Sequence, residues 1–520
     1  MNRRRSGVLA PLFSLRSSGS WGIGDMRDLV PFTRWVADAG QAFVQILPIH
    51  EMPPGERSPY SAMTAMAIDP IYIAVPVVPD FEALGGELGL SAVDRAKLDE
   101  VRRLPDLDYR KVRAVKDRCL RLAFDRFQRQ EVALGAPRAA RFDRFCAAQA
   151  AWLDDYARFR ALHAAHDERA WWDWPAPLAA RETAAVAAAV AGLAHEVAYR
   201  KYLQWLAAEQ WVEAREQAGF VQVFGDLPFM ISGDSPDVWA RQEQFRFDAT
   251  VGVPPDEFSE TGQDWGLPPW RWEVMAGDDF AWMRTRAARS AALFDGFRLD
   301  HLVGLYRTYI RPLDRGQDDF FAPPDERQQT ELGERLVGLY TATGAEVIAE
   351  DLGTVPDFVR ASLDRMGVPG FKVVRWERRW DEPGHPYRDP AGYPEVSVAT
   401  TGTHDVEPIA AWWDGLAEDE RAAVLALDAV GRYVGDGLPA TDALVRALLD
   451  SASRLVILPV QDVFGWTDRV NTPATVGEAN WGFRLPWPVD TMAERPDVRE
   501  RARLLRQWTA AAGRAAEVRS

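Results

Sequence analysis

The sequence is poor in cysteine and in histidine. Its 520 residues include two cysteines, Cys119 and Cys146, and seven histidines. Two cysteines outside any C-x-x-C pair build neither a disulfide framework nor, alone, a zinc site, so packing as thiols among helices is their expected use. No H-E-x-x-H occurs. No run of 18 apolar residues occurs either, so no helix is expected to span a membrane. The apolar part of the opening MNRRRSGVLAPLF is too short for a secretory segment before Arg16 intervenes, and a cytoplasmic protein is expected. Basic charge is in deficit, with 61 Lys+Arg against 77 Asp+Glu, a net charge of −16 and a pI near 5.1. Without a basic patch this balance repels a phosphate backbone, so neither nucleic acid nor a membrane is an expected partner. No G-x-G-x-x-G follows an apolar run, which argues against a dinucleotide-binding sheet.

What is present is an ordinary globular balance, 47% hydrophobic and 27% charged. The length fits about three domains, or one barrel enlarged by insertions. Seven short apolar runs end in polar residues: FVQILP (43–48), VQVFGDLP (221–228), DGFRLDH (295–301), EVIAEDLG (346–353), FKVVRWE (371–377), SVATTGTHD (397–405) and RLVILPVQD (454–462). Unalternated Val, Ile, Leu and Phe suit parallel strands buried on both faces, and helix-like stretches separate most of them. The predicted fold is α/β, a (β/α)8 barrel. An eighth strand is required, but the sequence gives it no clear place. Residues 81–218, rich in Ala, Arg, Leu and Glu, show no fixed repeat and read as a helical insertion within one catalytic domain spanning 1–520. His163, His166 and His195 fall inside it with no carboxylate pattern and read as solvated or packed. Residues 408–450 and 488–520 are again helical in texture.

Polar residues at the C-terminal ends of barrel strands are the catalytic candidates. In Phe297-Arg298-Leu299-Asp300-His301, Arg298 and Asp300 share a strand face and can point together into the mouth. A guanidinium keeps a carboxylate ionised, as a nucleophile requires, and a purely structural ion pair fits equally well. After Val347-Ile348-Ala349 come Glu350 and Asp351; Thr354-Val355-Pro356-Asp357 supplies its own helix start, which leaves Glu350 without a structural task. A carboxyl in a partly apolar mouth near other carboxylates has a raised pKa and can act as an acid. Thr403-His404-Asp405 gives a third acid, or else an Asx-type turn. Three acids from separate strands fit a retaining glycosidase-type mechanism, with nucleophile and acid about 5–5.5 Å apart. A divalent-metal site would use similar acids, but 21 tryptophans suit sugar rings better than a hydrated ion. Trp265, in Glu260-Thr261-Gly262-Gln263-Asp264-Trp265-Gly266, is the best placed for substrate contact; Trp171-Trp172-Asp173-Trp174 and Trp412-Trp413 are explained as well by helix packing.

With these motifs assembled, the chain resembles the 4-α-glucanotransferases called amylomaltase or disproportionating enzyme (glycoside hydrolase family 77), relatives of the α-amylases. The motifs run from Gly7-Val8-Leu9 and Trp21-Gly22-Ile23-Gly24-Asp25 through Gly225-Asp226-Leu227-Pro228, Pro254-Pro255-Asp256, Gly262-Gln263-Asp264-Trp265-Gly266, Arg298-Leu299-Asp300-His301, Ala349-Glu350-Asp351-Leu352-Gly353 and Thr403-His404-Asp405 to Arg469-Val470-Asn471-Thr472-Pro473 and Asn480-Trp481. The resemblance implies a barrel with helical insertion subdomains and no separate C-terminal β-sandwich. It implies Asp300 as nucleophile, Glu350 as general acid/base and Asp405 as transition-state stabiliser. Arg298, His301 and His404 would orient the reacting sugar, and Tyr60, Asp226, Asp256, Gln263, Trp265 and Asn471 match sugar-contacting positions. It implies no organic cofactor and no catalytic metal, α-1,4-glucans and maltooligosaccharides as donors, and glucose or maltooligosaccharides as acceptors. A hydrolase of the same architecture would differ only in the second step, and a non-catalytic glucan-binding protein would lack one of the acids. Three stretches depart from the usual pattern near expected substrate loops: Ser61-Ala62-Met63-Thr64, Leu267-Pro268-Pro269-Trp270-Arg271-Trp272 and Leu302-Val303-Gly304.

Overall fold

The computed structural model describes residues 3–255, 262–314, 316–473, 475, 477 and 479–515. Among these, twelve strands are found: β1 (Arg5–Leu9), β2 (Phe43–Gln45), β3 (Gln222–Leu227), β4 (Ala249–Val253), β5 (Gln263–Asp264), β6 (Gly296–Leu299), β7 (Thr308–Pro312), β8 (Phe320–Ala322), β9 (Glu346–Ala349), β10 (Gly370–Val373), β11 (Ser397–Thr400) and β12 (Leu455–Pro459). β1, β2, β3, β6, β9, β10, β11 and β12 close into a barrel in that order, every pairing parallel. Each of the seven apolar runs contributes a strand. The eighth is β1, inside the opening stretch MNRRRSGVLAPLF.

The reason these runs are apolar without alternation is visible in the packing. Leu9, Phe43, Phe224, Ile348, Phe371, Val398, Leu455 and Ile457 fill the barrel interior. Their neighbours Val8, Val44, Val223, Phe297, Val347 and Val456 face the surrounding helices. β1 hides from a hydrophobicity scan because Gly7 occupies an interior position. A Cβ there would lie 2.3 Å from the Phe43 ring, so Phe43 takes the space and stacks on Phe224 with centroids 4.4 Å apart.

Between β2 and β3 the chain runs through helices from Pro79–Glu82 to Ala194–Gln217. Cys119 and Cys146 lie here unpaired, and burial pushes their thiols up to about 12 and about 11. His163 is packed, as expected, but not without carboxylates. It is buried and held by two acids, with Nδ1 2.6 Å from Glu168 and Nε2 2.9 Å from Asp234. The second of these comes from a loop after β3, so no local spacing could reveal it. His195 lies 3.4 Å from Asp125 on the surface. Trp171 and Trp174 are packed, as expected, while Trp172 stays 53% exposed.

A second sheet, unforeseen from the sequence, is antiparallel in the order β5-β4-β7-β8. It carries the loop with Gln263 and Trp265 to the C-terminal side of the barrel strands. β10 leads to β11 through 374–396, where the described residues hold only the short turn Pro390–Gly392 instead of the usual helix. No described helix is long and apolar enough to cross a membrane.

Candidate active site

The mouth is organised around one guanidinium. Asp226 on β3 pairs in register with Arg298 on β6, and Leu227 with Leu299. Arg298 Nη1 lies 2.8 and 3.0 Å from the Asp226 oxygens and 2.8 Å from Asp300 Oδ1. Asp226 is fully buried, whereas the Asp300 side chain keeps 27% of its surface open to the mouth. Burial works against the Arg298 charge, but Asp226 and Asp300 more than offset it and hold the guanidinium protonated. Burial raises the Asp226 carboxyl above its usual range, against the pull of Arg298. Tyr60 completes this layer by donating its hydroxyl to Asp226 Oδ2 at 2.7 Å.

Asp300 and Glu350 follow immediately on Leu299 and Ala349, which are paired across β6 and β9. The two acids therefore emerge side by side. Glu350 Oε1 accepts the Leu352 N–H at 3.0 Å and Oε2 accepts the His301 N–H at 2.8 Å. Burial pushes this carboxyl up from 4.5 to about 7, with Arg298 opposing and Asp300 adding to the rise. The expectation that Glu350 has no structural task is thus corrected, because it binds two turn amides. The expected side-chain cap of the next helix is also absent; Asp357–Met366 starts at Pro356 with no side-chain cap. Asp351 does separate work, accepting the Phe371 N–H at 2.6 Å.

Asp405 lies beyond β11. Its carboxylate is 3.2 Å from His404 Nε2 and accepts from Asn471 Nδ2 at 2.7 Å, while Arg469 donates to its main-chain oxygen at 2.9 Å. Burial alone would raise this acid, but His404 and then Asn471 hold it well below the usual range. The turn here is built by Thr403 and not by the acid: Thr403 Oγ1 accepts the Asp405 N–H at 3.3 Å, and the Asp405 carboxylate makes no Asx-type bond among the described residues. The His404 ring stacks on Tyr60, centroids 4.9 Å apart and 14° from parallel, which joins this acid to the Arg298 layer.

His301 sits between the barrel and the loop above it. Its ring meets Trp265 edge-on at 4.8 Å and Phe229 at 5.5 Å. Burial pushes His301 down to about 4, so it is neutral at pH near 7. Trp265 Nε1 donates to Gln263 Oε1 at 3.2 Å, and the Trp265 N–H to Val251. Gln263 is exposed and pairs through its backbone with Val253 of β4. Asp256 lies outside the described residues. Sequence reasoning missed Phe229, Arg469 and Trp481 as site residues. Trp481, at φ 60°, lies 5.8 Å from both the Tyr60 and His404 rings, and the Asn480-Trp481 motif was its available signal. Among the described residues no three acids, histidines or cysteines are grouped to hold a metal ion.

A parallel barrel whose C-terminal mouth gathers three acids from separate strands, roofed by a tryptophan, defines the class: an enzyme barrel of the glycoside hydrolase type. The profile of the 4-alpha-glucanotransferase family matches residues 10–490. A 4-alpha-glucanotransferase of Synechocystis sp. is 33% identical over 507 residues, 93% of this chain and 94% of its own length. One of Thermus thermophilus is 33% identical over 489 residues, 90% of this chain and 92% of its own. The amylomaltase of Streptococcus agalactiae, solved in complex with acarbose, superposes with a TM-score of 0.82 at 27% identity, covering 99% of this chain and all of that one. The chain belongs to the 4-α-glucanotransferase family, glycoside hydrolase family 77.

Proposed function

We propose that Asp300, Glu350 and Asp405 carry out 4-α-glucanotransfer by double displacement with retention. The observation that carries this reading is the contrast between adjacent acids: Asp300 is paired with Arg298, while Glu350 is half-buried without a cation of its own and holds its proton up to about pH 7. Two neighbouring carboxyls set apart in this way suit a nucleophile and an acid. Asp300 attacks the anomeric carbon of an α-1,4-glucan as Glu350 passes its proton to the departing 4-oxygen. A covalent glycosyl-enzyme forms and the shortened glucan leaves. Glu350, now ionised, takes the proton from the 4-hydroxyl of glucose or a maltooligosaccharide, which attacks the same carbon and frees Asp300.

Asp405, kept ionised by His404 and Asn471, faces the positive charge that develops on the sugar ring. Arg298, His301 and His404 orient that sugar. Tyr60, Asp226, Asp256, Gln263, Trp265 and Asn471 complete the substrate contacts, with Trp265 and Tyr60 on the acceptor side. The proposal treats 1–520 as one catalytic domain with 81–218 inserted in it, working in the cytoplasm. No step calls on a cofactor or metal ion.

Incubation with maltotriose tests the reading. Transfer conserves the number of glycosidic bonds, so glucose should appear with maltopentaose and longer chains while total reducing ends stay nearly constant. A steady rise in reducing ends with no chain longer than the substrate would replace transfer by hydrolysis.

A further inference from the structure

The missing helix after β10 leaves a gap in the barrel's outer layer. A cavity of about 850 Å³ lies there, between segment 374–396 and the 351–360 stretch that follows β9. That is within the range of about 300–1,000 Å³ typical of small-molecule sites. Two tryptophans in its lining are unusually open for their size, Trp376 at 40% and Trp380 at 62% exposed.

The cavity shares a wall with the catalytic mouth. Leu352, one of its lining residues, donates its N–H to Glu350 Oε1. Exposed indole faces with a few fixed polar groups are the recognition chemistry of sugar rings. The lining cations Arg360, Lys372 and Arg378 are each paired with an acid, Asp351, Glu377 and Glu420, so a neutral sugar fits better than a polyanion. We propose that this cavity is an accessory site for an α-1,4-glucan chain, outside the catalytic mouth, in which the exposed faces of Trp380 and Trp376 stack on sugar rings. The choice of glucan rests on the transferase reading given above.

The test separates the two. Retardation in native gels containing amylose is measured for the full chain carrying Asp300→Asn, so that the glucan is bound without being remodelled. Adding Trp380→Ala should weaken amylose binding about tenfold, and adding Trp376→Ala about threefold. In the otherwise wild-type enzyme, neither substitution should alter maltotriose disproportionation, because the mouth alone handles short chains. Unchanged retardation in both variants would overturn the accessory site. So would a fall in maltotriose turnover that matches the loss of amylose binding, since the residues would then act through the mouth. If the wild-type enzyme failed to lengthen maltotriose while amylose still retarded the protein through Trp380, the transferase reading would fail and the glucan site would stand.

Discussion

The His301 backbone N–H donates to Glu350 Oε2 at 2.8 Å from a residue whose φ is 42°. A non-glycine residue in that region costs about 1–2 kcal/mol, so the turn holds strain in the act of fixing the acid. The arrangement positions Glu350 while burial keeps it protonated.

The first prediction follows from the value near 7. Glu350 must carry a proton to start the reaction, so kcat/KM for maltotriose should hold below about pH 7 and fall about tenfold per pH unit above it. Glu350→Gln should remove turnover of maltotriose but spare bond cleavage in donors whose leaving group needs no proton. A basic limb that stays in place when Glu350 is altered in a partly active variant such as Glu350→Asp would assign that limb to another group.

Stability gives an independent reading of the same acid. Its folded pKa of about 7 lies above the ordinary 4.5, so the stabilisation linked to its proton is fully present below 4.5 and is lost as pH rises through about 7. Gln carries no such loss. The Tm of Glu350→Gln relative to the parent should therefore be higher at about pH 8 than at about pH 5. A calorimetric difference that is constant with pH would contradict the raised pKa.

Asp300→Asn should abolish transfer and hydrolysis together, with a loss in kcat on the order of 10⁴-fold or more. Arg298 would keep Asp226 as its partner, so the fold should survive and circular dichroism should be unchanged. Near-native turnover in this variant would remove Asp300 from the nucleophile's place.

Asn471→Ala takes one of the three groups that hold the Asp405 carboxyl low, leaving His404 and Arg298 against burial. The acidic limb of the kcat profile should move to higher pH, with KM little changed. An unmoved limb would mean that Asp405 does not need its charge in the rate-limiting step.

Trp265→Ala should shift the outcome of the second half-reaction. Loss of an aromatic face costs the acceptor about 3- to 10-fold while water still enters, so reducing ends should rise relative to chain lengthening. Equal losses in both products would place Trp265 on the donor side.

The strands that carry acids were legible because each apolar run stops at a charged residue, as in DGFRLDH and EVIAEDLG. β1 was not, because Gly7 lends its interior space to a side chain from the neighbouring strand. The small antiparallel sheet escaped notice because β5 is two residues and β8 three, too short to show a period. In the site, Arg298 and Asp300 could be paired from their spacing alone. Phe229, Arg469 and Trp481 could not, since only tertiary folding brings their loops to the mouth. Asp234, one of the two acids that hold His163, was hidden for the same reason.

The Tyr60–Asp226 hydrogen bond spans 166 residues of sequence, with every helix between β2 and β3 inside the loop it closes. Closing so large a loop is entropically expensive before other contacts reward it, so this bond belongs among the last to form. The stacked Tyr60–His404 pair depends on it in turn. The mouth therefore has no local precursor: a nascent chain holds the separate halves of its chemistry, but no working site, until the helices between β2 and β3 have collapsed. Recovery of activity during refolding should report the closing event of the whole molecule, and it should lag behind the helical signal.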